Sequence, residues 1–383
     1  MAIYKTLVKK ISIPQEMKTK QKDYLTQGRL AIIDQGQQLI GGYSNSIEKQ
    51  LCCNLPVIVF GDHTRVVKYI NFPFGAGADG IKILEPKKDV VSKYLYYGTQ
   101  YLVLTLPDKG YARHYQYLEK KNLHLPSLSE QERIVAHIEE LFSELDAGVE
   151  TLKKTKAQLN VYRQAVLKEA FESCTEKRTV KQMSSIVTSG SRGWAKYYSD
   201  DGARFIRITD LTHIGISLND ENVKYVSLPK EIEGKRSRLK PFDVLVSITA
   251  DLGSIALVPQ NITESYINQH IAMIRFNNPR QGEFMAWYLR SYYGQKELLK
   301  NKRGAGKLGL GLDDVRTSMV PMVTDETAKE IVSEIESRLS VCNNIEQTID
   351  AALEQAKALR YSILKEAFEG EPFDEKTATN ARD

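Results

Sequence analysis

Apolar positions along the chain follow two rhythms. In one stretch Ile138, Leu145, Leu152, Leu159 and Val166 recur every seven residues, with Ile134, Leu141, Gly148, Thr155 and Tyr162 at the alternate position. That spacing predicts an amphipathic helix whose apolar stripe forms a seam against another helix. The stripe returns as Ile335, Cys342, Ile349, Ala356 and Ile363, flanked by Ile331, Arg338, Ile345, Ala352 and Leu359. Each stripe predicts a helix of about forty residues, which at 1.5 Å per residue is about 60 Å long, a strut rather than a core element. Pro126 with a Ser129-x-x-Glu132 capping box predicts the first start, and Pro321 followed by Thr324 and Asp325 the second.

The two stripes belong to a repeated segment. Tyr162-Arg163-Gln164-Ala165-Val166-Leu167-Lys168-Glu169-Ala170-Phe171-Glu172 returns as Leu359-Arg360-Tyr361-Ser362-Ile363-Leu364-Lys365-Glu366-Ala367-Phe368-Glu369, at an offset of 197 residues. Ile134-Val135 and Ile138-Glu139 return as Ile331-Val332 and Ile335-Glu336 at the same offset. Chance matches would not share one register, so the chain carries an internal duplication.

Elsewhere the rhythm shortens to the alternation of strands. Arg204–Ile208, Asp243–Ile248 and Ile271–Phe276 predict strands, followed by an aromatic-rich helix over Phe284–Tyr293. Pro56–Phe60, Gly80–Leu84 and then Ser92–Gly98 answer them earlier in the chain. The predicted fold class is α+β: two copies of one globular module alternating with two long helices. The expected boundaries are a first globular domain over 1–125, a central helix over 126–174, a second globular domain over 175–322, a distal helix over 323–370 and a polar tail over 371–383.

Composition narrows the function. With 42% hydrophobic and 26% charged residues and 20 tyrosines, the chain is that of a folding globular protein. A formal charge of +5 permits a polyanionic partner without demanding one. Cys52, Cys53, Cys174 and Cys342 show neither CxxC nor Cys/His ligand spacing, so no metal site or disulfide framework is expected and a reduced cytoplasm is the expected location. No signal-peptide core and no apolar run of about eighteen residues occurs, so no membrane association is expected.

Catalytic motifs are missing. Gly75-Ala76-Gly77-Ala78-Asp79-Gly80 matches G-x-G-x-x-G by letter, but a predicted strand follows it where a cofactor loop needs a helix, so it reads as a turn between strands. Asn277-Asn278-Pro279-Arg280 reads as a turn, and His63, His114 and His270 stand apart from any acid or nucleophile partner. What the loops do carry is polar and basic chemistry suited to base edges and phosphates. Arg pairs with guanine and Asn or Gln with adenine through two hydrogen bonds each. The candidate DNA-binding residues are Gln35, Gln37, His63, Thr64, Arg65, Lys109, Tyr111 and Arg113 in the first domain. In the second they are Ser191, Arg192, Thr249, Asp251, Asn268, Gln269, Lys302, Arg303 and Lys307.

In the helix segment Leu128-Ser129-Glu130-Gln131-Glu132-Arg133-Ile134-Val135-Ala136-His137-Ile138-Glu139-Glu140-Leu141-Phe142, the paired Leu-Lys-Glu-Ala-Phe endings, and Ser247–Asp251 with Tyr266–Ala272, the chain resembles type I restriction-modification specificity subunits nearly end to end. The first domain departs from the family pattern in its short N-terminal lead. The resemblance implies that each globular part is a target recognition domain reading one half of a split site on double-stranded DNA. It also implies that the helices pair as a pseudo-twofold antiparallel coiled coil that sets spacing and docks two methyltransferase (modification) subunits, with restriction/translocase subunits joining outside. No catalysis and no cofactor are implied for this chain, S-adenosylmethionine belonging to the methyltransferase partner, and the setting is DNA methylation and phage defence. The competing readings are an enzyme of unfamiliar type, a coiled-coil scaffold, and a DNA-binding subunit of another phage-defence methyltransferase system.

Overall fold

A computed structural model describes residues 1–77, 80–107, 109–110, 112–229, 235–300, 302 and 309–369. The chain divides into two compact units, Met1–Lys153 with Asp350–Asp383, and Lys154–Ile349. The division falls inside two long helices, Leu128–Ala170 and Asp325–Glu369. Each unit therefore holds one globular module, the beginning of one long helix and the end of the other.

In the first unit, strands Val8–Ile11, Ile81–Pro86, Val57–Gly61 and Val67–Ile70 form an antiparallel sheet in that order. Gly42–Ser44, Leu30–Ile33 and Phe74–Ala76 form a second sheet whose last pair is parallel. Alternation along Val57–Gly61 sends Ile58 and Phe60 to the helical side and Val57 and Val59 toward the second sheet. A strand covered on both faces is apolar almost throughout, as this one is. The helical layer consists of Ser92–Leu104 together with Ile134, Val135, Ile138 and Phe142 of the first long helix and Ile363, Leu364, Ala367 and Phe368 of the second.

The second unit repeats the strand order of the first sheet and has one strand more in its second. Ser184–Ser189, Ile271–Phe276, Val244–Ser247 and Ile255–Leu257 are antiparallel. Tyr198–Ser199, Tyr225–Val226, Ala203–Ile206 and Ser265–Ile267 form the second sheet, again ending in a parallel pair. Val244, Val246, Ala272 and Ile274 face the helices, while Leu245, Ile271 and Met273 face the second sheet. The covering helices are Gly282–Arg290 and Tyr292–Leu299 with Val166, Leu167 and Phe171 and with Ala328, Val332, Ile335 and Leu339. Phe171 meets the rings of Phe284 and Tyr288 edge-on, both at 5.4 Å.

Several expectations shift. The single helix expected over 284–293 is two, because Ser291 is extended at ψ 166° and its hydroxyl accepts from Gly294 N at 3.4 Å to start a second helix. Val8–Ile11 and Ser184–Ser189 are strands without an apolar alternation to announce them, since each lies at a sheet edge. The first long helix is capped by Ser127, whose hydroxyl accepts from Glu130 N at 3.3 Å, rather than by a Ser129 box; Thr324 caps the second, accepting from Thr327 N at 3.2 Å.

The seam also differs from its sequence reading. Ile138, Leu159, Val166, Ile335, Ile349 and Ile363 are buried, and Leu145 and Leu152 partly so. Ile345 and Leu359 are 40% and 52% exposed and lie off the buried row. The second row falls one residue later, at Phe142, Val149, Lys156 and Arg163 and at Leu339, Glu346, Leu353 and Arg360. Counting apolar letters selects Ile345 and Leu359 because the true row is partly charged, with aliphatic stems filling the seam and heads paired across it. In the second unit Arg163 Nη2 donates to Glu346 Oε2 at 2.7 Å and to Asn343 Oδ1 at 2.8 Å, and Arg338 reaches Glu169 at 3.0 Å. Later residues of one helix thus meet earlier residues of the other, so these segments run antiparallel. In the first unit Arg360 bonds Asp146 at 2.5 Å and lies 4.0 Å over the Phe142 ring, while Leu152 shares a cleft with Ala352.

One acidic pair spans module and strut within the second unit. Burial, and then the hydrogen bond and charge of Glu336 on the second long helix, push the Glu283 carboxyl up from 4.5 to about 7.

Two outcomes follow from this packing. Ile349→Ala should destabilise the protein by about 2–5 kcal/mol, whereas Ile345→Ala should cost under about 1 kcal/mol in denaturant unfolding; equal losses would contradict the one-residue shift of the seam. Because Glu283 binds its proton more tightly folded than unfolded, stability falls as pH rises from 4.5 toward 7. Glu283→Gln should therefore raise Tm at pH 8 and leave it unchanged at pH 4, measured by thermal melts across that range.

Candidate nucleic-acid interface

In each unit the polar loops gather where the parallel strand pair ends and the central hairpin turns. In the first unit, Gly77 N donates to Ile33 O at 2.8 Å, closing the parallel pair, and Gly61 lies opposite Ile81. Gln35 follows directly, and its carbonyl accepts from Thr64 Oγ1 at 2.7 Å, tying that loop to the hairpin. Gly80, at φ +100°, passes so close that a Cβ there would stand 2.7 Å from Gln35 Oε1. Asp34 Oδ1 accepts from Gly36 N at 2.9 Å and stands 3.5 Å from the buried Lys68 amine, where burial lowers the lysine pKa and the Asp34 charge opposes that shift.

The hairpin is anchored by Asp62. Its carbonyl accepts from His114 N at 2.8 Å, its Oδ1 from Tyr115 N at 2.8 Å, and its Oδ2 pairs with Lys82 at 3.2 Å. His63 Nδ1 lies 3.2 Å from Ala112 O, and Arg65 takes a left-handed turn at φ 61° with its N donating to Gly61 O at 2.8 Å. The structure thus brings together Gln35, His63, Thr64, Arg65 and the stretch around Ala112. Gln37, Lys109 and Arg113 are exposed on the same loops, and Tyr111 lies outside the described residues.

The second unit repeats this arrangement with different side chains. Asn268 N donates to Ile206 O at 3.1 Å, closing its parallel pair, and Ser247 lies opposite Ile271. Ser191 bridges Asn268 through the backbone, which requires a bare Cα at Gly190: a Cβ there would stand 2.0 Å from Ile267 O. Gln269 Nε2 lies 2.7 Å from His270 Nε2; an amide nitrogen only donates, so the ring proton sits on Nδ1, 2.5 Å from Thr249 Oγ1. Asp251 Oδ1 accepts from His213 Nε2 at 2.7 Å and its Oδ2 from Ser254 Oγ at 3.0 Å. The bond from His213 above all holds the Asp251 carboxyl below its usual range. Arg192 and Lys302 are exposed, while Arg303 and Lys307 lie outside the described residues.

Sequence reading missed His213, Ser254 and Arg290. His213 sits in a loop without periodicity, 38 residues from its Asp251 partner, and no local signal joins them. Arg290 carried one signal, a charged residue closing an otherwise apolar, aromatic-rich helix; it is 7% exposed, with Nη1 3.4 Å from His213 Nδ1.

Among the described residues, no group of three or more His, Cys, Asp or Glu side chains is arranged to hold a metal, and no helix is long and apolar enough to cross a membrane. Gly75–Gly77 ends the strand Phe74–Ala76, and the next described element after Gly80 is the strand Ile81–Pro86.

No family model matches the chain. It is 25% identical over 287 residues to the Escherichia coli type I restriction enzyme EcoBI specificity subunit, covering 66% of this chain and 59% of that one. It is 23% identical over 271 residues to the specificity subunit of the type I restriction enzyme EcoKI of Escherichia coli strain K12, covering 65% and 57%. The matches thus span under two thirds of the length of these curated relatives. A chain solved in work on complex assembly and conformational transition of the type I R-M system superposes with a TM-score of 0.66 over 96% of both chains at 14% identity, which shows a shared fold. In sequence the chain is thus similar to type I restriction enzyme specificity subunits, and it shares its fold with a chain of a type I R-M system.

Proposed function

We propose that this chain is the DNA sequence-specificity subunit of a type I restriction-modification complex. Each globular module reads one half of a bipartite site on double-stranded DNA. The observation that carries this reading is the recurrence, at one place in two modules whose first sheets share one strand order, of loops that present different polar side chains. The recurrence suits two readers docking alike, and the difference in side chains suits two unlike half-sites. Exposed Lys109, Arg113 and Arg192 on these loops suit phosphate contacts that hold register.

The long helices pair as an antiparallel coiled coil that fixes the spacing of the readers and docks two methyltransferase subunits, with restriction/translocase subunits joining them. The chain performs no catalysis in this reading, and S-adenosylmethionine is bound by the methyltransferase partner. The cytoplasm, where DNA and partners meet, is its location.

Methylation sequencing of the host with and without the gene tests the function. A bipartite methylated motif should vanish on deletion; an unchanged methylome would refute the reading. Spacing has its own test. Inserting seven residues after Leu152 and seven after Ile349 keeps both seams in phase and adds about 10 Å of helix. The motif spacer should then lengthen by up to about three base pairs at about 3.4 Å each, and an active complex with its original spacer would show that the helices do not measure distance.

A further inference from the structure

Asp251 is an unusual residue to place in a loop that meets DNA. A carboxylate there faces phosphate repulsion unless its charge is balanced locally. The balance is built in from below. Arg290 is 7% exposed, and among the described residues no carboxylate lies within ion-pair distance of it and its Nε has no partner. Its Nη1 reaches His213 Nδ1 at 3.4 Å. A guanidinium only donates, so Nδ1 accepts and the ring proton is on Nε2, aimed at Asp251 Oδ1 at 2.7 Å. The imidazole thus couples a buried cation to a carboxylate whose side chain is 57% exposed.

The loop is held as firmly as the charge. Ala250 is left-handed at φ 60°. Ser247 Oγ donates to Asp251 O and accepts from Ser254 N at 2.8 Å, while Ser254 Oγ donates to Asp251 Oδ2 at 3.0 Å. Each carboxylate oxygen therefore spends one lone pair inside the protein and keeps one for a ligand. An ionised carboxylate can only accept. In the major groove the donors are the cytosine N4 and adenine N6 amines; guanine N7 and O6, adenine N7 and thymine O4 are acceptors and would be repelled.

Resting on the DNA-reading function above, we propose that Asp251 is a specificity-determining residue of the second module that accepts from the exocyclic amine of one base. His213 and Arg290 act as positioning residues that orient it and balance its charge. Fixing the acceptor before binding avoids the ordering cost that a free Asp would incur.

The test is methylation-motif sequencing of the full chain, expressed in its host with its partner subunits, as wild type, Asp251→Ala and Asp251→Asn. Asp251→Ala should lose about five- to hundredfold discrimination at a single base pair of one half-site. A relaxed G·C pair identifies the cytosine amine and a relaxed A·T pair the adenine amine. Asp251→Asn keeps the shape, replaces an acceptor oxygen by a donor, and should shift the preference at that same pair. An unchanged motif in both variants, with or without tighter overall binding from the lost negative charge, overturns the proposal while leaving the DNA-reading function standing. A wild-type chain that directs no bipartite motif overturns both.

Discussion

Burial of the long helices' repeated ends is the constraint on which the rest of the structure depends. Ile134, Val135, Ile138 and Phe142 begin one helix and cover the first module; Val332, Ile335 and Leu339 begin the other and cover the second. The repeated endings do likewise, with Phe171 in one core and Phe368 in the other. Neither module closes its helical face alone, so helix and module stabilise each other as one cooperative unit. A single buried Phe or Ile at such a position is worth several kcal/mol, a large share of a domain's net stability.

Between those anchored ends the seam carries charge. Arg163, 5% exposed, is tolerated because Glu346 and Asn343 meet its guanidinium, and Arg360 stacks on Phe142 while bonding Asp146. Such pairs add little net stability over apolar residues, but they punish a shifted register, since a slip leaves a guanidinium without its acceptor. Specific register matters in a helix pair with one apolar row and one partly charged row.

The candidate interface depends on a different principle. Strand ends and hairpin turns place the loops, and a second layer of contacts (Asp62 in one unit, His213 with Ser254 in the other) fixes side chains that remain accessible. Rigid placement of few polar groups lets a loop discriminate between similar base edges. The two modules share the order of their first sheets and differ in the side chains their loops display.

The two long helices and the central strands were legible in the sequence because each is a local pattern: a seven-residue period or a two-residue alternation. What was local but ambiguous failed by small margins, as at Ile345 and Leu359, where apolar letters outvoted the charged row that actually faces the partner helix. What was nonlocal was invisible. The pairing of His213 with Asp251, the burial of Arg290 beneath them and the anchoring of Asp62 by Tyr115 join residues 38 to 77 positions apart, and only the closed sheets bring them within hydrogen-bond reach. Periodicity records which face of an element is buried; it carries no record of which distant group will stand opposite, because that is settled by strand register and by the cost of leaving a buried charge without a partner.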